Sequence, residues 1–170
     1  MMEIKQDPLK GLRAAGWRPT VVICLVAEKK VLLVYQADYA LWQLSQGGIK
    51  EGEDVKETFL REVKEELGPE IEVKKAEIAY LGEERMEFSP LGKVKLQEKE
   101  GQANLKGKIF FAFAAPIEKL PSSLPQSQFQ EHRLVTYQEG KELAATIPQT
   151  GKRQITESFL DILKEKGWIS

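Results

Sequence analysis

Apolar residues follow two different patterns along this chain of 170 residues. Residues 20–27 and 31–35 are continuous runs rich in β-branched side chains, which is typical of strands buried on both faces. The polar stretch 28–30 between them predicts a hairpin. Residues 108–114 form a third apolar run and predict another strand. These runs indicate a sheet at the centre of the fold.

A helical pattern occupies residues 54–68. At about 100° per residue, one apolar arc collects Val55, Phe59, Leu60, Val63 and Leu67. Asp54 is placed as the N-cap, and Glu57 would complete a capping box. Gly68 is placed to end the helix in a left-handed conformation, and Pro69 prevents its continuation.

The remaining segments are shorter or less regular. The pattern predicts a helix or irregular arm over 8–16, an extended piece over 42–46, strands over 71–81 and 134–137, a helical turn over 138–145, and a last helix with Ile155, Phe159, Ile162 and Leu163 on one face. Residues 82–107 are compatible with a functional loop, a solvated hairpin or a disordered segment. Pattern alone favours an α/β or α+β fold in a single domain over residues 1–170.

Composition limits the expected cellular location and binding partners. The net charge is −1, from 25 basic and 26 acidic residues, so no overall positive field would attract DNA. The longest apolar run, 21–27, is too short to span a bilayer, and the N-terminus lacks the apolar region of a signal peptide. The single cysteine, Cys24, lies inside that run and reads as a buried thiol. We therefore expect a cytoplasmic protein with neither a DNA partner nor a membrane partner.

Three acidic residues share one face of the predicted helix. Glu62, Glu65 and Glu66 are spaced i, i+3 and i+4, and like charges at that spacing cost a few tenths of a kcal/mol. Carboxylates grouped in this way suit a hard divalent cation such as Mg²⁺, with Mn²⁺ as a substitute. The alternative is a solvated acidic face without a metal.

The stretch 47–68 resembles the Nudix box, G-x5-E-x7-R-E-U-x-E-E-x-G-U, where U is a bulky aliphatic residue. The matching positions are Gly47, Glu53, Arg61, Glu62, Val63, Glu65, Glu66 and Gly68; Pro69 departs from the last aliphatic position. The resemblance implies an α/β/α sandwich with a mixed sheet, and an enzyme that hydrolyses a nucleoside diphosphate linked to another group.

The resemblance also implies a role for each matching residue. Glu62, Glu65 and Glu66 would be metal ligands, assisted by a carbonyl near Gly47, and Glu65 would also accept a proton from water. Arg61 would pair with Glu53 and orient the ligands. An ordinary surface ion pair and a plain tight turn are the alternatives for Glu53–Arg61 and for the glycines.

Residues 42–49 resemble the W-Q-x-P-Q-G-G-I signature of RNA 5′ pyrophosphohydrolases and diadenosine polyphosphate hydrolases, and residues 16–21 resemble the G-Y-R-P-N-V opening of the former. The sequence also departs from these enzymes: Ser45 replaces the signature proline, and Gln128, late in the chain, stands where they place a further acidic metal ligand. Gln149 and Gly151 replace apolar residues that grip the terminal base.

The substrate contacts are a separate prediction. The resemblance points to Arg18, Lys108, Lys152 and Arg153 as phosphate binders, with solvated surface charge as the alternative for each. Tyr39 and Trp42 could stack on a base, although core packing is the stronger expectation for Trp42. His132, the only histidine, is expected to be structural.

The leading hypothesis is a Mg²⁺-dependent hydrolase of a dinucleoside polyphosphate or of the 5′ end of pyrophosphorylated RNA, active as a monomer or homodimer. One alternative is an ADP-ribose or nucleotide-sugar pyrophosphatase. Another is a Nudix-fold module that binds nucleotides without cleaving them.

Overall fold

The computed structural model describes residues 6–100 and 105–170. Its helices are α1 (Gln6–Ala14), α2 (Val55–Glu62, continued by a π-helical turn Val63–Leu67), α3 (Pro90–Glu100), α4 (Tyr137–Ala144) and α5 (Thr150–Glu165). Its strands are β1 (Trp17–Ala27), β2 (Lys30–Gln36), β3 (Leu41–Gln43), β4 (Ser45–Gly48), β5 (Ala79–Glu87), β6 (Gly107–Pro116) and β7 (Glu131–Val135). Short 3₁₀ turns occupy Ala37–Tyr39 and Lys75–Glu77.

The strands form one mixed sheet in the order β3-β2-β1-β6-β5. Strand β1 runs parallel to β6, with Arg18 opposite Lys108, and antiparallel to β2. The short β4 pairs with β1 beyond the end of β2, and β7 pairs with β2. Glu28 and Lys29 both have positive φ, which gives the tight β1–β2 hairpin that the sequence predicts.

Helices cover both faces of this sheet. Leu9 of α1 and the apolar arc of α2 pack against the side of β1 that carries Val21 and Ile23. Phe159, Leu160 and Leu163 of α5 pack on the opposite side, which includes the fully buried Cys24. The predicted α/β/α sandwich is therefore confirmed. Among the described residues, no helix has the length and apolar character needed to cross a membrane.

The box helix follows the sequence prediction at its start and departs from it at its end. The Asp54 carboxylate accepts a hydrogen bond of 3.2 Å from the Glu57 amide, as expected of an N-cap. The Glu57 side chain, however, contacts Lys75 instead of completing a capping box. From Val63 the helix widens into the π-helical turn, and Gly68 has φ 102° and ψ 173°, which is positive φ but not the left-handed helical conformation expected.

Three other predictions from the sequence are wrong in part. Strand β5 begins at Ala79, not at residue 71, because the charged stretch 72–77 has no face that could be buried in a sheet. Residues 90–100 form α3, a helix without the usual amphipathic signal, since Leu91 and Val94 are exposed. Strand β7 begins at residue 131, because pairing with β2 and not apolar pattern sets its limits. Residues 101–104 lie outside the described part of the chain.

Candidate active site

Strand β4 brings glycine backbone directly against the box helix. Its pairing with β1 sets Thr20 opposite Gly48 and Ile23 opposite Ser45. A Cβ atom added to Gly47 would lie 2.1 Å from Cδ of Glu62, whereas one added to Gly48 would meet nothing within 4 Å. Only glycine at position 47 therefore allows the Glu62 carboxylate to lie against the strand.

Arg61 connects the turn and the helix by five hydrogen bonds. Its Nε and Nη2 donate to the two oxygens of Glu53 at 2.6 and 3.0 Å, and Nη2 also donates to the Gly48 carbonyl at 3.1 Å. Its Nη1 donates to Glu62 at 2.7 Å and to Glu65 at 3.0 Å. The pair with Arg61 lowers the pKa of Glu53 from 4.5 to about 2. The Arg61–Glu53 pair implied by the Nudix resemblance is thus present.

Glu66 is half-buried at the inner end of this network. The Ser45 hydroxyl donates to its Oε2 at 2.6 Å. Burial raises the pKa of the Glu66 carboxyl to about 8; the Ser45 hydrogen bond opposes this rise, and the neighbouring Glu62 and Glu65 carboxylates add to it. Glu62 itself is only 8 % exposed. Two neighbouring carboxyl groups, one buried and one half-buried, therefore lie side by side.

Glu65 differs from the other two glutamates. Its side chain is 55 % exposed and meets Arg61. Within residues 6–100 and 105–170 no three acidic, histidine or cysteine side chains converge as a ready metal site. Glu65 therefore lies at the solvent-exposed edge of the three carboxylates, and Nη1 of Arg61 contacts both Glu65 and Glu62.

The donor set nevertheless fits a hard divalent cation. Glu62 and Glu66 present carboxylate oxygens side by side, and a cation would relieve their mutual repulsion. Gly47 leaves the backbone of β4 in contact with the Glu62 carboxylate. Oxygen ligands of this kind are those that Mg²⁺ and Mn²⁺ take in proteins.

A cavity of about 270 Å³ opens beside Glu66. Its inner wall is apolar, with Phe110 and Phe159 among the lining residues, and its polar residues include four glutamines: Gln36, Gln43, Gln46 and Gln128. The cavity lies between the sheet and α5. Sequence reasoning assigned these glutamines no joint role; the signal that could have found them is the run of amide side chains around the 42–49 signature.

Lys108 and Lys152 line the same cavity. Burial lowers the pKa of Lys108, and the nearby cations of Lys152 and Arg18 lower it further. Burial also lowers the pKa of Lys152, whose Nζ lies 4.2 Å from the centre of the Tyr39 ring. No carboxylate in the described part of the chain forms an ion pair with either lysine. Half-buried cations that form no ion pair with a described acidic residue fit an anionic ligand.

The other predicted contact residues divide between the site and its surroundings. Arg18 lies in an adjoining cleft of about 830 Å³ that also contains Gly47, Gly48 and Lys108. Arg153 is turned away from the cavity: it donates to the Ile147 carbonyl at 3.1 Å and lies near Glu157. The structure therefore groups Arg18, Lys108 and Lys152 and does not add Arg153 to them.

The remaining aromatic and histidine positions have local partners. Trp42 packs on the Tyr35 ring with Arg133 over its face, so it is part of the fold. Tyr39 is 54 % exposed near the cavity. His132 shares a 2.6 Å hydrogen bond with Ser127, which agrees with a structural role.

The sequence matches the NUDIX domain over residues 16–158. This chain belongs to the Nudix hydrolase family. Two relatives are both described as RNA pyrophosphohydrolase. The protein from Nitratiruptor sp. is 30 % identical over 130 residues, which cover 75 % of this chain and 77 % of the relative. The protein from Novosphingobium aromaticivorans is 29 % identical over 164 residues, which cover 92 % and 99 %.

Solved Nudix structures share the fold. A Nudix hydrolase from Nitrosomonas europaea superposes with a TM-score of 0.63 at 13 % identity, covering 90 % of this chain and 92 % of that one. A pyrophosphohydrolase from Bacillus subtilis superposes with a TM-score of 0.60 at 23 % identity, covering 90 % and 85 %. Nudix enzymes generally use divalent metal ions. Two groups of residues in this chain suit such chemistry. We call the first the carboxylate side, which comprises Glu53, Arg61, Glu62, Glu65 and Glu66. We call the second the cationic side, which comprises Arg18, Lys108 and Lys152.

Proposed function

We propose that this Nudix hydrolase is a Mg²⁺-dependent pyrophosphohydrolase that cleaves a diphosphate linkage in a nucleotide bearing further phosphates. Its substrate is a dinucleoside polyphosphate or RNA with a pyrophosphorylated 5′ end. The observation that supports this most is the cavity lined by the half-buried Glu66 carboxyl together with Lys108 and Lys152, neither of which forms an ion pair with a described carboxylate. A phosphate chain bound between metal and lysines would satisfy both groups.

The carboxylate side would hold the metal through Glu62, Glu66 and Glu65. A divalent ion held there would offset charge on the phosphate oxygens and lower the pKa of a bound water. Arg61 keeps the Glu62 and Glu65 carboxylates near each other, and Glu53 holds Arg61 in place through two hydrogen bonds. Gly47 leaves the space that the Glu62 carboxylate occupies.

The exposed Glu65 is the residue we assign to proton transfer. Its side chain is 55 % exposed, whereas Glu62 is buried and Glu66 is half-buried, so it can take the proton of the attacking water. The water oxygen forms a bond to one phosphorus, and the bond from that phosphorus to the bridging oxygen breaks. The departing phosphate group keeps the electron pair. Lys108 and Lys152 stabilise the negative charge of the phosphates.

The substrate preference follows from the cations and from the relatives. Lys108, Lys152 and Arg18 place positive charge around the cavity and the adjoining cleft, which favours a substrate with more phosphate groups than ADP-ribose. Relatives described as RNA pyrophosphohydrolases support the RNA 5′ end as one such substrate.

A substrate panel tests this proposal. The protein is incubated with Mg²⁺ and diadenosine tetraphosphate, ADP-ribose or a triphosphorylated oligoribonucleotide, and the products are separated by chromatography. We expect cleavage of the tetraphosphate or the oligoribonucleotide at the highest kcat/KM. Preferential cleavage of ADP-ribose would make the protein a nucleotide-sugar type of pyrophosphatase. Nucleotide binding without any product would make it a binding module and refute the proposal.

A further inference from the structure

Two departures from the resembled signature meet at one glutamate. Ser45 stands in place of the signature proline, and its hydroxyl donates to Oε2 of Glu66 at 2.6 Å. The backbone amide of Gln128, the second departure, donates to the Glu66 carbonyl at 2.9 Å. Glu66 is thus held through its side chain by β4 and through its backbone by the segment that precedes β7.

The position of Ser45 leaves its hydroxyl little freedom. Only 2 % of the residue is exposed, and pairing opposite Ile23 fixes the strand on which it lies. A short hydrogen bond from a hydroxyl to a carboxylate is among the stronger ones in proteins. Because Glu66 lies in a π-helical turn, its backbone is not held by ordinary α-helical hydrogen bonding, and a second anchor for its side chain matters more.

We propose that Ser45 is a positioning residue that holds the Glu66 carboxylate in the orientation in which it binds the metal ion. The role is distinct from ligation, because the hydroxyl is already engaged with Glu66 and acts through it. This inference rests on the proposed function, since it requires the metal site that Glu62, Glu65 and Glu66 would form. It predicts that removing the hydroxyl weakens metal binding while the fold remains.

A matched set of variants separates positioning from general structural damage. Ser45→Ala removes the hydrogen bond, and Ser45→Cys keeps the approximate size but offers a weaker donor. Ser45→Thr keeps a hydroxyl and is the rescue variant. Ser158→Ala is the control, because Ser158 donates to Glu84 at 2.5 Å in a contact between α5 and β5 away from the box helix. Each of these changes alters a single side chain.

The readout is Mn²⁺ affinity of the whole protein without substrate, measured by electron paramagnetic resonance of the free ion. We expect Ser45→Ala to weaken affinity by about 3- to 10-fold, as the loss of an ordinary side-chain hydrogen bond does. Ser45→Cys should fall between the alanine variant and the native protein, and Ser45→Thr should recover most of the affinity. Ser158→Ala should bind Mn²⁺ as the native protein does, and thermal unfolding should show that the variants are folded.

The possible failures are distinguishable. Unchanged affinity in a folded Ser45→Ala variant would overturn the role of Ser45 and leave the proposed function intact. An equal loss of affinity in Ser158→Ala would also overturn it, because the effect would then be general. Absence of Mn²⁺ binding by the native protein would overturn the metal site and this inference together. If Ser45→Ala does not fold, Ser45→Cys is compared with Ser45→Thr. Weaker Mn²⁺ binding by the cysteine variant supports the role of Ser45, and equal binding overturns it.

Discussion

The carboxylate side and the cationic side of this site are held in place by different means. On the carboxylate side, every glutamate contacts a named partner, and Arg61 alone makes five hydrogen bonds. On the cationic side, Lys108 and Lys152 have no acidic partner among the described residues and are brought together by the sheet and α5. The carboxylate side is therefore preorganised by its own contacts. The cationic side is positioned by the fold and is available to bind an anion.

Replacing the exposed glutamate of the carboxylate side should have the largest effect. Glu65→Gln should lower kcat by about 10²- to 10⁴-fold, the usual contribution of a general base, and should leave thermal stability nearly unchanged. Glu57→Gln is the control, because Glu57 lies on the same helix with an exposed side chain. The measurement is steady-state kinetics with the substrate that is cleaved in the panel. An unchanged kcat would show that Glu65 does not accept the proton.

Replacing a lysine of the cationic side should weaken substrate affinity without reducing the stability of the fold. Lys108→Met keeps the aliphatic length but removes a half-buried charge, so KM should rise about tenfold from loss of a charged hydrogen bond to phosphate. The free energy of unfolding should stay the same or rise, since partial desolvation of a cation that has no described acidic partner is costly. Lys166→Met, at an exposed position, is the control. A loss of stability without a change in KM would show that Lys108 is structural.

On the carboxylate side, stability should depend on the close approach of Gly47 to Glu62. Gly47→Ala places a Cβ against the Glu62 carboxylate and should cost about 1–3 kcal/mol in the free energy of unfolding, as overpacking does. Gly48→Ala should change it by about 0.5 kcal/mol or less, because the added Cβ meets nothing. Urea unfolding of both variants tests the difference; equal stabilities would contradict the close approach at Gly47.

The contribution of the Glu53–Arg61 ion pair to stability should depend on pH. The pKa of Glu53 is lowered by Arg61 to about 2, so the ion pair stabilises the fold fully above the unfolded pKa near 4.5 and loses that contribution as pH falls toward 2. Glu53→Gln should therefore be less stable than the native protein by about 1–3 kcal/mol at pH 6, and the difference should shrink between pH 4.5 and 2. Unfolding curves across this range measure it, and a constant difference would exclude the ion pair as its source.

Local pattern was sufficient for much of the fold and of the carboxylate side. The β-branched runs of β1, β2 and β6 and the apolar arc of α2 are properties of neighbouring residues, so their elements follow from the sequence. The Asp54 cap likewise follows from local sequence. The spacing of Glu62, Glu65 and Glu66 within two helical turns predicts one group of carboxylates, and their role as metal ligands stays a prediction. Pattern failed for α3, where exposed Leu91 and Val94 conceal the helix, and for the start of β5.

What the tertiary structure decided is which partner each chemical group meets. Lys108 and Lys152 lie far apart in the sequence and share a cavity only because β6 and α5 pack together. Arg153 is adjacent to Lys152 in the sequence, but the orientation of α5 places only Lys152 in the cavity. The Ser45–Glu66 bond requires both the β4–β1 register and the π-helical turn. Spacing along a helix is set by bonded geometry, whereas such contacts depend on the packing of distant segments, which no local pattern records.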